Sequence, residues 1–127
     1  MINWEMGNIL LQDKIDNLHD LADSFLRIGN KNGNVYANDL SLLNKEIHDQ
    51  INELYPQRGK TVEQEAALCL ALLMGYSVSL YANSEDELKK QAILIRSWKI
   101  LPKLPPSFLK EQLLIFCNEL KHSFEIN

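Results

Sequence analysis

The chain has 127 residues, 46% hydrophobic and 24% charged, which suits a folded domain with one core and excludes a disordered chain. Its net charge of −4 argues against a nucleic-acid binder, whose phosphate contacts need clustered Lys and Arg. Leucine (22) and isoleucine (11) dominate, while valine occurs three times and threonine once, which is poor material for strands.

The opening stretch, MINWEMGNILLQD, carries Glu5 and no Lys or Arg before Lys14. A secretory signal needs a basic start and a longer apolar run, so a cytoplasmic location is expected. The first helix is read over roughly residues 9 to 28, where Leu11, Ile15, Leu18, Ala22 and Phe25 recur in steps of three and four. Gly29 is its stop signal, and GNKNGNVYAND has the turn chemistry of a loop. Asn38 or Asp39 can cap a second helix with Leu40, Leu43, Ile47, Ile51 and Leu54 on one face. Pro56 should end it.

Thr61 with Gln64 reads as a reciprocal capping box opening the third helix, and Asn83 as its end. Ser84 with Glu87 repeats the box for a fourth helix, which runs to about Lys99 before Pro102. Its main apolar face is expected at Leu88, Leu94, Ile95, Trp98 and Leu101. Pro105 and Pro106 place the start of a fifth helix near Ser107, with Leu109, Leu113, Phe116, Cys117 and Leu120 facing inward. The expected fold is therefore all-α: a compact single domain over residues 1–127, with about five helices around a central apolar helix at about 61–82.

That central segment has seventeen uncharged residues, from Ala66 to Ala82. A membrane span needs about 18 to 20 apolar residues and basic flanks. Here the run is short and has acidic residues on both sides, so it reads as a core helix. Ala67, Ala71, Gly75 and Ser79, spaced by four, form a shallow ridge that lets a neighbouring helix approach. Met74 and Tyr76 read as core residues.

No catalytic motif stands out, and no catalytic, cofactor or metal residues are assigned. His19, His48 and His122 fall on three different helices, and neither His-x-x-x-His nor paired cysteines occur. Adjacent His-Asp pairs at 19–20 and 48–49 should diverge around a helix. Cys69 and Cys117 lie in apolar runs and read as reduced, inert packing.

Two surfaces are candidates for a protein partner. Asp13, Asp16, Asp20 and Asp23 form an acidic stripe opposite the apolar face of the first helix. It is either an ordinary solvated face or a dock for a basic partner. Lys89, Ile93, Arg96, Lys99 and Ile100 form a second candidate patch, basic and apolar, on the fourth helix. Its alternative is packing against two neighbours.

LNKEIHDQINELYPQRGKTVEQEAALCLALLMGYSVSLYAN and the later LPPSFLKEQLLIFC together resemble the UpxZ family. The likeness runs over about residues 15 to 117 and includes the VEQEA entry, the LCLALLMGY core and the Leu-Pro-Pro-Ser start of the last helix. It implies a small antagonist of transcription antitermination from capsular polysaccharide loci. Such a protein would bind NusG-like antitermination factors of competing operons, with the transcription elongation complex as a further partner. No catalytic or cofactor residue comes with that role. The competing readings are a helical scaffold or homodimerising module using the second patch, and an enzyme using His48 or His19.

Overall fold

The computed structural model describes the backbone of residues 2–30, 37–78 and 84–125, and the side chains of residues 10–24, 44–78 and 85–120. The described elements are helices α1 (Ile2–Asn30), α2 (Ala37–Leu54), α3 (Val62–Val78), α4 (Ser84–Ile100) and α5 (Phe108–Glu125), with a 3-10 turn at Leu101–Lys103 between α4 and α5. There is no strand among the described residues, and the all-α architecture is as the composition requires.

α3 packs against all four other helices, so the apolar run is the centre of the bundle. From Leu68 to Tyr76 every residue is buried. None of the described helices is long and apolar enough to cross a membrane. Gly75 marks a close approach between helices: a Cβ there would stand 2.8 Å from Ile51 Cδ1 on α2 and 3.4 Å from Leu18 Cδ1 on α1. The small-residue ridge thus holds at Ala71 and Gly75, whereas Ala67 is only half-buried and Ser79 lies outside the described residues. Met74 and Tyr76 are buried, as read.

α1 presents Leu11, Ile15, Leu18 and Ala22 to the core, the stripe its spacing predicts. It begins well before residue 9 and runs one residue beyond Gly29. α2 contributes Ile47, Ile51 and Leu54, with buried Asn44 beside them. It starts at Ala37, so Asn38 and Asp39 sit inside its first turn rather than ahead of it. Pro56 follows its end, as expected. α5 buries Leu113 and Cys117 and packs Leu109, Phe116 and Leu120 partly against the core. Its start is capped by Ser107, whose Oγ accepts from the Lys110 amide at 3.2 Å.

Thr61 caps α3, its Oγ1 accepting from the Gln64 amide at 3.0 Å. The return arm differs from a simple box. Gln64 Oε1 accepts from the Lys60 amide at 2.8 Å, one residue before the cap, so the whole turn is drawn onto the helix. The Ser84 side chain and Asn83 fall outside the described residues.

The face of α4 is a correction. Ile93, Leu94 and Leu101 are buried, while Leu88 (66%), Ile95 (56%) and Trp98 (38%) are exposed. Apolar residues surround this helix on all sides, so periodicity alone does not choose among the faces. The helix is turned so that Ile93 and Ser97 look inward, with the Ser97 hydroxyl returning a hydrogen bond to Ile93 O at 2.8 Å.

Candidate functional site

What orients α4 is a polar knot at the start of α3. Arg96 Nε donates to Glu65 Oε2 at 3.0 Å and Arg96 Nη2 to Glu65 Oε1 at 2.9 Å, a two-pronged grip that suits guanidinium geometry. The same Arg96 reaches the loop after α2, where Nη2 donates to Gln57 O at 3.1 Å. Glu65 Oε1 also accepts from the Gly59 amide at 2.8 Å. Gly59 sits so close to α3 that a Cβ would fall 2.2 Å from the Glu65 amide nitrogen, which leaves room for glycine only. Both charged side chains are mostly buried, and each is satisfied by several partners. This is a structural joint among α2, α3 and α4 rather than an open site.

The joint corrects the second candidate patch. Ile93 is fully buried and Arg96 is engaged by Glu65, so these two residues do not face a partner. Ile100 is half-buried against the core. Lys89 Nζ is 3.3 Å from Glu85 and 5.3 Å over the Tyr55 ring. Lys99 alone of the five is exposed. The arrangement is that of a helix packed between neighbours.

On α1 the structure places Asp13, Asp16 and Asp20 at the exposed surface and Asp23 half-buried. Asp16 Oδ1 accepts from Gln12 Nε2 at 3.0 Å. His19 Nδ1 lies 3.6 Å from Asp20 Oδ1, so this neighbouring pair does come together, at the exposed side of the helix. His48 instead turns from Asp49 to Asp86 on α4, with Nε2 3.4 Å from Asp86 Oδ2 and Nδ1 3.4 Å from Asn52 Nδ2. A neutral ring with its proton on Nε2 satisfies both contacts. The His122 side chain is outside the described residues.

The cysteines fit the packing role. Both are free and buried. Burial pushes the Cys69 and Cys117 thiols up to about 11, keeping them protonated and weakly nucleophilic at neutral pH. Burial, with Tyr55, Asp86 and Glu85 nearby, also raises the Tyr76 phenol far above its ordinary range. Among the described residues, no group of three His, Cys, Asp or Glu could hold a metal ion.

Surface clefts occur among the described residues. One of about 410 Å³ lies between α1, the start of α3 and Leu109 of α5. Gln64 Nε2 donates to Gln12 Oε1 at 3.2 Å, joining two residues of its lining. Two smaller clefts, about 220 and 240 Å³, follow the α1–α2 seam. Sequence reasoning missed this seam, because α1 and α2 supply different walls and neither has a distinctive motif.

A family model described as the UpxZ family of transcription anti-terminator antagonists matches residues 15–119. Among solved structures, the chain is similar to the transcription anti-terminator antagonist UpxZ from Bacteroides uniformis ATCC 8492. The two are 33% identical, with a TM-score of 0.74, covering 89% of this chain and 73% of that one. No curated protein matches the chain. With the sequence match spanning most of the helical bundle and the solved structure sharing its fold, the chain belongs to the UpxZ family of transcription anti-terminator antagonists.

Proposed function

We propose that this protein inhibits NusG-like antitermination factors of competing capsular polysaccharide operons by stoichiometric binding in the cytoplasm, without catalysis. The observation that carries this reading is the family match over residues 15–119. The antagonist works by occupying a surface, either on the free factor or on the factor within the elongation complex. Exposed Asp13, Asp16 and Asp20 stand on the outer face of α1, away from the core contacts. Charge on such a face mainly speeds encounter with a basic partner.

Calorimetry of the protein against a panel of NusG-like factors, at low and moderate salt, tests the reading. Selective binding that weakens with salt supports it. No binding by the folded protein to any factor removes it. Asp16→Lys with Asp20→Lys should weaken binding and inhibition about tenfold at unchanged helix content. Undiminished inhibition would reduce the stripe to a solvated face.

A second reading, a homodimerising module, has its own support in the apolar side chains that α4 exposes at Leu88, Ile95 and Trp98. Sedimentation of the isolated protein separates the two, since a module of this kind is dimeric without any factor.

A further inference from the structure

The apolar side chains that the bundle leaves in the open are concentrated on α4 and α5. Among the described residues, the exposed large apolar side chains other than Leu10 all lie there: Leu88, Ile95 and Trp98 on α4, and Phe108, Leu114 and Ile115 on α5. The two helices pack against each other. On α4, Leu88 and Ile95 stand seven residues apart, two turns of helix, so they line one side, and Gln91 between them is exposed as well. Trp98, one turn further on, extends the stripe. This is the spacing of a helix-pairing seam, and it faces outward.

Charge indicates what covers it. Along one edge of the stripe run Glu85, Ala92 and Lys99, again seven residues apart. Glu85 belongs to the acidic first turn of α4 and Lys99 to its last turn. Lys99 is exposed and has no ion-pair partner among the described residues. Glu85, with its side chain 76% exposed, is 3.3 Å from Lys89 Nζ, an intrahelical surface pair of the kind that contributes little and exchanges readily. Opposite charges at the two ends of one edge are complementary to a second copy of the same helix running the other way. The positions agree. Leu88 with Ile95, and Glu85 with Lys99, have their midpoints at Ala92 or beside it. A two-fold axis there sets Leu88 against Ile95 of the second copy and Glu85 against its Lys99, each contact made twice. The small Ala92 side chain lets the two backbones approach. In a parallel pair equal residues stand at the same height, and opposite charges do not meet. The exposed apolar side chains of α4, with Leu114 and Ile115, amount to roughly 500 Å² per copy, so a pair buries about 1,000 Å², the lower limit of a specific interface.

We propose that α4 pairs antiparallel with α4 of a second copy of this chain, about a two-fold axis at Ala92. Leu88, Ile95 and Trp98 form the apolar seam, and Glu85 and Lys99 bridge it at both ends. This deepens the homodimerising reading above and rests on it, adding the face, the direction and the contacts. The interface is small, so the dimer forms at about tens of micromolar and comes apart on dilution.

The test is sedimentation of the full chain from about 1 to about 200 μM. The parent should shift from monomer to dimer across that range, and Ile95→Lys should stay monomeric throughout at unchanged helix content. Lys99→Glu brings two carboxylates together at each end of the seam and should weaken pairing about tenfold. Adding Glu85→Lys to the same chain restores opposite charges and should bring the affinity back to within about twofold of the parent. That rescue belongs to the antiparallel pair, since unspecific apolar clustering has no reason to recover. If the parent and Ile95→Lys dimerise equally, the dimerising reading stands and the α4 seam is overturned. If Ile95→Lys breaks the dimer but Glu85→Lys does not rescue Lys99→Glu, the antiparallel register is overturned. A parent that is monomeric throughout overturns the proposal together with the dimerising reading. If Ile95→Lys instead weakens factor binding in calorimetry while the parent stays monomeric, the factor occupies this face and the proposal is overturned.

Discussion

α1 and α4 both pack along the central helix, but they do so with different chemistry. α1 meets the core through Leu11, Ile15, Leu18 and Ala22, all apolar and all on one stripe. α4 meets it through Ile93 and Leu94, followed by Leu101 of the 3-10 turn, interspersed with Ser97 and the Arg96–Glu65 grip. Apolar contact is strong but non-directional, so it holds α1 in place wherever its one apolar stripe can be covered. A partly buried, hydrogen-bonded ion pair is poor at adding net stability and good at rejecting the wrong arrangement. α4, apolar on several sides, is the helix that needs such a device.

The largest break in this contrast should come from the apolar side. Leu18 is fully buried at the point where α1 and α3 approach across Gly75. Leu18→Ala should destabilise the fold by about 4 kcal/mol in urea titration, because the Gly75 contact leaves little slack to close the cavity. Arg96→Ala comes next, at about 3 kcal/mol, since it strands Glu65 in a mostly buried position. The paired replacement Glu65→Leu with Arg96→Met should recover much of that loss while loosening the orientation of α4, seen as broadened amide resonances along that helix. A fully sharp spectrum in the double variant would deny the grip its orienting role. The smallest effect is expected at Ile95→Lys, within about 0.5 kcal/mol, because Ile95 is 56% exposed. A loss of several kcal/mol there would mean that α4 buries the face its spacing alone suggests.

The legibility of these helices follows the same physics. On α1 apolar and charged residues segregate, so a single face satisfies the pattern, and the acidic stripe could be placed opposite it by spacing alone. On α4, Leu88, Ile95 and Trp98 compete with Ile93 and Leu94 for the inward position, and the local pattern cannot rank them. The ranking comes from Glu65, thirty-one residues upstream, which captures Arg96. The second candidate patch groups residues that this contact separates, since Ile93 is buried and Arg96 is held by Glu65. The seam cleft was invisible because its walls come from two helices distant in sequence, Lys14 and Asn17 on α1 and Gln50 and Glu53 on α2.

The amino-acid sequence by itself determined the helical class, the central place of the apolar run, the cap at Thr61, the start of the last helix near Ser107 and the family to which the chain belongs. These follow from composition, periodicity and local hydrogen bonding, which act over a few residues, and from a likeness spread along the chain. Tertiary structure alone decided which side of α4 is buried, how Glu65 joins α2, α3 and α4, and where α1 and α2 leave a polar seam. Each of these depends on side chains brought together from distant positions, where close packing and the need to satisfy buried charge select one arrangement among several that the local pattern permits.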